Sequence, residues 1–104
     1  MLIVPTQPLP NQTLQVQLAS QACILNLRQS AYGLFVDVYV GPTPIILGVI
    51  AENLNRIVRS LYLGFIGDLT FWDTQGTDDP VYTGLGSRFQ LVYIEASELP
   101  AGEG

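Results

Sequence analysis

Leu34-Phe35-Val36-Asp37-Val38-Tyr39-Val40 is the stretch that decides the fold. Leu34, Val36, Val38 and Val40 recur with period two and form one face, while Phe35, Asp37 and Tyr39 form the other. Successive side chains of a strand point to opposite faces, so strict alternation is the mark of a half-buried β-strand. Working upstream, Leu14, Val16 and Leu18 alternate with Gln15 and Gln17, which predicts a strand over Thr13–Leu18. Ser20-Gln21 reads as a turn. Cys23, Leu25 and Leu27 then alternate with Asn26 and Arg28, so a hairpin is expected. Ser30 to Gly33 is a second turn leading into the deciding strand.

Downstream, Gly41-Pro42-Thr43-Pro44 is a strong break. Ile45 to Ile50 is β-branched and apolar on both faces, which predicts a strand covered on both sides. Ala51 to Ser60 is the one stretch with helical character. In it Asn53 is positioned to cap a short turn carrying Leu54, Ile57 and Val58. Asp68 to Trp72 alternates again, with Leu69 and Phe71 on one face and Trp72 on the other. A polar loop, Asp73 to Pro80, and a glycine-rich stretch, Gly84 to Gly86, precede the last predicted strand, Arg88 to Ile94. Pro5, Pro8 and Pro10 exclude a helix at the start and leave an edge or extended segment. The expected architecture is all-β: a small antiparallel sandwich or barrel of roughly six to seven short strands, with at most one short helical turn near 52–60. It forms a single domain, 1–104, with an extended proline-rich arm over 1–12 and a flexible tail over 96–104.

The composition limits function. Apolar residues make up 48% of the 104 residues, an ordinary share, but charged residues only 12%, against about 25% in typical soluble domains. A small domain that stays monomeric needs a charged surface. This chain is therefore expected to have much of its surface covered. All four bases are arginine (Arg28, Arg56, Arg59 and Arg88) against nine acids, and the net charge is −5. That argues against sequence-specific nucleic-acid binding and against an acidic membrane surface. The absence of histidine removes the usual general base and the commonest transition-metal ligand. Met1 to Pro5 has no basic flank or long apolar run and is not expected to be a signal peptide. No apolar run approaches the ~20 residues of a membrane helix.

Each chemical constellation has a duller and stronger reading. Cys23 is the only cysteine and sits mid-strand on an apolar face, so it reads as a buried structural thiol. Asp73 to Pro80 holds three acids, but the spacing is not that of an EF-hand, and a solvated loop is preferred to a calcium site. Asp37, Asp68 and Asp73 are the carboxylates open to glycosidase-like pairing, but nothing in the spacing brings two of them together. Gly84-Leu85-Gly86-Ser87-Arg88 resembles a phosphate loop only faintly, and turn geometry explains its glycines. No catalytic residue, metal site or cofactor is expected.

Arginine is the residue preferred for interfacial carboxylate pairs. Arg88 either makes such a contact or pairs internally with Asp73, Asp78 or Asp79. The rings are too many for so small a core: Phe35, Tyr39, Tyr62, Phe65, Trp72, Tyr82 and Tyr93. If the valine stripe faces the core, Phe35 and Tyr39 face out, where aromatics make interface hot spots. A sandwich burying both faces is the alternative. Arg28, Phe35, Tyr39, Trp72 and Arg88 are the candidate contact residues.

The order and spacing of several motifs resemble the baseplate plug proteins of contractile-tailed bacteriophages. They are Pro10-Asn11-Gln12-Thr13-Leu14-Gln15-Val16, Leu25-Asn26-Leu27-Arg28, Gly48-Val49, Gly67-Asp68-Leu69-Thr70-Phe71, Asp73-Thr74-Gln75-Gly76, Asp79-Pro80 and Leu85-Gly86-Ser87-Arg88-Phe89-Gln90-Leu91-Val92-Tyr93. The likeness spans roughly residues 8 to 95 and departs at Asn53 to Ser60. It implies a structural virion protein without a catalytic site, made in the bacterial host cytoplasm and present in several copies in the tail baseplate. Its implied partners are hub and tail-tube or initiator proteins and copies of itself. The rival expectations are a carbohydrate-binding β-domain stacking sugars on Trp72 and Tyr82, and a small enzyme using paired carboxylates.

Overall fold

The alternating stripes become paired strands because their register places like faces together. The computed structural model describes residues 2–59 and 65–98. Within them the strands are β1 (Leu2–Val4), β2 (Asn11–Leu18), β3 (Gln21–Ser30), β4 (Gly33–Val40), β5 (Thr43–Ile50), β6 (Asp68–Asp73) and β7 (Phe89–Ile94). β2-β3-β4-β5 is an antiparallel meander in sequence order, and β1-β7-β6 is a second antiparallel sheet. Leu14 opposes Leu25, Leu25 opposes Val38 and Leu27 opposes Val36. In the other sheet Val4 and Phe71 both oppose Leu91, and Leu69 opposes Tyr93. Directly opposed residues share a face, so each sheet carries one continuous apolar face.

Those two faces meet in a single core. Leu25, Leu27, Leu34, Val36, Val38, Leu69, Phe71 and Leu91 are all 0% exposed. Truncating any of these leucines to alanine costs roughly 2–5 kcal/mol, a large part of the stability of a domain this size. The architecture is the expected all-β one, and of the two forms anticipated it is the sandwich, since neither sheet closes into a barrel.

Polar side chains at the two ends of β3 join the sheets. Gln21 donates from Nε2 to the carbonyls of Leu18 and Ile66, and its Oε1 accepts the Ile66 N–H at 2.9 Å. At the other end Gln29 Oε1 accepts the Tyr82 N–H at 3.0 Å. Both use a side-chain amide to satisfy backbone groups of connecting segments that have no strand partner.

Three expectations need correction. The break at Gly41 to Pro44 is a tight hairpin turn, Gly41-Pro42, with Val40 opposing Thr43. Pro44 then lies within β5, where it is tolerated because β5 is an edge strand. The apolar run Ile45–Ile50 is not covered on both sides: Ile46 and Val49 lean on the core, but Leu47 is 56% and Ile50 39% exposed. The helical turn allowed near 52–60 is absent among the described residues of that stretch, 52–59. Residues 53–59 instead run along the outer edge of β6, where the N–H groups of Leu54 and Ile57 donate to Phe71 and Leu69. The buried carboxylate of Asp68 takes the N–H groups of Val58 and Arg59, both at 2.8 Å. Those bonds compete directly with the ones a helix would make. The short 3-10 turns lie elsewhere, at Tyr82–Gly84 and Ala96–Glu98. Gly86, with φ +80°, lies so close to the chain that a Cβ would sit 2.4 Å from the Thr6 carbonyl oxygen. Close packing, rather than a phosphate, accounts for that glycine. Tyr62 and tail residues 99–104 lie outside the described residues.

The β2–β3 turn is Ala19-Ser20, with φ +52° and +62°. Two left-handed residues define a type I′ turn, which suits Asn-Gly and strains alanine and serine by roughly 1 kcal/mol or more each. The entropy that glycine adds to the unfolded chain offsets about half of that relief, so replacing Ala19 by Asn together with Ser20 by Gly is expected to raise the melting temperature by about 4–8 °C. Calorimetry of the double variant checks this, and an unchanged or lower transition would contradict it.

Candidate interaction surfaces

Pairing of Asp73 with Phe89 across β6 and β7 brings the neighbouring Arg88 against the Asp73 carboxylate. Arg88 Nε donates to Asp73 Oδ1 at 2.9 Å, and Nη2 donates to Asp73 Oδ2 and to Asp78 Oδ2, both at 2.8 Å. The Asp73 side chain is fully buried. Its two oxygens also accept the N–H groups of Gln75 and Asp78, so the carboxylate organises the loop that follows it. The Arg88 hydrogen bonds, and after them the two backbone N–H groups, hold Asp73 far below the usual carboxylate range against the opposing effect of burial. The guanidinium also lies 5.0 Å from the centre of the Phe89 ring. Of the two uses left open for Arg88 by the sequence, the structure forms the internal one.

The third acid of the loop, Asp79, accepts the N–H of Asn53 at 3.0 Å. All three acidic side chains of the segment thus have protein partners. Among the described residues no cluster of three or more acid, cysteine or histidine side chains is placed to hold a metal. Asp37, Asp68 and Asp73 lie in separate hydrogen-bond sets, each engaged by backbone N–H groups or arginine.

Asp37 has a structural task on the four-stranded sheet. Val36 opposes Val49 and Val38 opposes Ile46, so β5 carries one extra residue opposite Asp37. This is a bulge, and Gly48 takes a left-handed φ of +67° within it. The Gly48 N–H donates to Asp37 Oδ1 at 2.7 Å, and Arg28 Nη2 donates to the same oxygen at 2.8 Å. The Arg28 side chain is half exposed. Exposed pairs of this kind contribute about 0–1 kcal/mol, so fixing the bulge is the larger effect of Asp37.

Around this pair the outer face of the sheet is apolar. Ile24 opposes Tyr39 and Tyr39 opposes Pro44; Arg28 opposes Phe35 and Phe35 opposes Ile50. Ile24, Phe35 and Tyr39 are half-buried, and Ile50 and the bulge residue Leu47 are exposed. Toward β2 the same face becomes uncharged and polar, with Asn11, Thr13, Gln15 and Gln17. The valine stripe does face the core, and Arg28, Phe35 and Tyr39 share the face opposite it.

The outer face of the three-stranded sheet carries a separate groove of about 340 Å³, lined by Leu54, Thr70, Trp72, Val92 and Ile94. Its floor, Thr70 and Val92, is buried, while Trp72 and Leu54 stand 45% and 62% exposed. Tyr82 packs against the core, so Trp72 is the ring of that pair that faces outward. Phe65 and Tyr93 fill the core edge to face, with centroids 6.2 Å apart. Cys23 is buried, and burial pushes its thiol pKa up, as befits a structural thiol. Ile24, Leu47, Ile50 and Leu54 were not singled out from sequence. The two-faced apolarity of Ile45–Ile50 was the signal for two of them; Leu54 was hidden by the helical reading of its segment.

These features define a small β-sandwich whose charges are largely engaged internally and whose apolar and aromatic surface, left uncovered among the described residues, lies on the outer faces of both sheets. Over residues 1–97 the chain matches the family described as cyanophage baseplate Pam3 plug gp18, and it belongs to that baseplate plug family. Comparison with curated proteins finds no match. Membership makes this a phage baseplate structural protein, associated with other baseplate components in the virion tail.

The Asp73 carboxyl generates a pH prediction. Its folded pKa lies below the unfolded value of about 3.9. Its contribution is therefore complete above that value and is lost as the pH falls from there toward the folded pKa. Asp73→Asn is expected to lower the melting temperature by roughly 10 °C or more near neutrality, because it leaves Arg88 with a poorer buried partner. The gap between variant and parent should narrow below about pH 4. Thermal melts across this range check it, and a gap independent of pH would contradict it.

Proposed function

We propose that this chain is a plug or adaptor of a contractile-tail baseplate, packing in several copies against hub and tail-tube or initiator proteins. The observation carrying the proposal is the apolar outer surface: Phe35, Tyr39, Leu47 and Ile50 on one sheet and the Trp72 groove on the other. Surface aromatics of this kind, half-buried at Phe35 and Tyr39 and exposed at Trp72, are where interface energy concentrates, at about 2 kcal/mol or more per hot-spot residue. Arg28 stands beside Phe35 with its guanidinium half exposed, free to extend its bond to Asp37 toward a partner carboxylate. The proposed contacts are Arg28, Phe35, Tyr39 and Trp72; Arg88 is engaged with Asp73 and Asp78 of the loop after β6. The net charge of −5 disfavours a role in binding nucleic acid by sequence.

Mass spectrometry of purified particles tests this. The proposal expects a fixed, low ratio of this chain to the tube protein, and absence from particles would sink it. Tyr39→Ser and Trp72→Ser test the faces. Each is expected to shift the melting temperature by no more than a few degrees while lowering incorporation by about tenfold or more. Normal incorporation of both would remove these faces as contacts.

A further inference from the structure

The four sheet edges are not treated alike. An open edge presents unpaired N–H and C=O groups, and proteins normally blunt it. β1 is only three residues long. β6 is covered along its outer edge by residues 53–59. β5 is broken by two register shifts and contains Pro44. β2 has none of these protections. It runs for eight residues, Asn11–Leu18, without proline, without charge and without a register shift against β3. Among the described residues no backbone group from any other strand or loop bonds to its outer edge.

A second feature lies beside this edge. On the outer face of the sheet, Gln15 and Gln17 of β2, Ala22 and Ile24 of β3 and Gly41 surround a cavity of about 370 Å³. It exists because Ala22 and Gly41 fill little space where their neighbours carry long side chains. An open edge supplies backbone hydrogen bonds, and a pocket beside it supplies selectivity for a side chain of the added strand.

From these two observations we infer that β2 is a strand-addition site. Its occupant is an extended, uncharged segment of a different protein, with an apolar side chain that fills the cavity over Ala22. A charged segment would meet no countercharge on Asn11–Leu18. A second copy fits less well. Pairing β2 with β2 would offer the cavity only Asn11, Thr13, Gln15 or Gln17, and the other edges of a second copy are short, irregular or covered. The identity of the partner as a baseplate protein rests on the function proposed above; the strand-addition site itself does not.

The test uses the full chain and a capped peptide, Thr-Val-Thr-Leu-Thr-Val-Thr, with a second version N-methylated at alternate residues. Amide hydrogen exchange by NMR is expected to slow by at least tenfold at alternate residues of Asn11–Leu18 with the first peptide and not with the second. Ala22→Phe, which fills the cavity on an exposed position, should weaken binding of the first peptide by at least tenfold and leave the chain's own melting unchanged. Lack of protection in β2, or equal binding by Ala22→Phe, would overturn the inference. So would concentration-dependent protection of β2 in the chain alone, which would assign the edge to a second copy. In particles, a photo-crosslinker in place of Gln17 should join this chain to a different protein, and crosslinks only between copies would overturn the inference. Absence of the chain from particles would instead defeat the baseplate reading, and the peptide experiment would still decide the site.

Discussion

Leu25 and Leu27 on β3 and Leu34, Val36 and Val38 on β4 must be removed from water on one side only, and this demand organises the molecule. A meander of four strands cannot meet it alone, because its apolar face needs a second layer. That layer is assembled from the two ends of the chain: β1 from the start, β6 and β7 from the far end. The connecting segments are then held by groups placed at the rim of the core. Gln21 fixes the approach to β6, Gln29 fixes the 3-10 turn at Tyr82, and Asp68 fixes residues 57–59. Gln21 and Asp68 are buried and Gln29 half-buried beside apolar strands, and each is satisfied by backbone groups, as the burial of polar atoms requires.

The scarcity of charge and the chemistry of the surface are the same fact seen from two sides. Arg88 is bound to Asp73 and Asp78, Arg28 to Asp37, and Asp68 and Asp79 to backbone N–H groups. With so many charges engaged in holding turns, bulges and loops, the outer faces consist of amides, hydroxyls, rings and branched aliphatics. Such a surface carries little of the like-charge repulsion that keeps small domains apart. For a baseplate component, this is the surface that stable association with neighbours requires.

Much of this was legible in the residues. Alternation in Leu34–Val40 and its neighbours identified the strands, their inward faces and the outward position of Phe35 and Tyr39. What alternation cannot carry is the partner of a group. Arg88 had three acids within reach in sequence; only the register of β6 against β7 selects Asp73, with Asp78 joining through the loop. Nor does it distinguish an edge strand from a central one, which is why Ile45–Ile50 looked doubly buried. Residues 51–60 misled for another reason. Asn53 and the spacing of Leu54, Ile57 and Val58 suit a helical turn, but Asp68 and the edge of β6 offer those same N–H groups better partners. Local propensity yields to tertiary hydrogen bonds in so short a segment.

The pairing of Leu2–Val4 with Leu91–Tyr93 also sets an order of events during synthesis. The meander from β2 to β5 consists of adjacent hairpins and can form as soon as it leaves the ribosome, whereas β1 has to wait for β7, nearly the whole chain later. In that interval the apolar face of the meander has no cover, and the nascent chain is exposed to aggregation. The domain therefore closes in one late step, when the last strand arrives between β1 and β6.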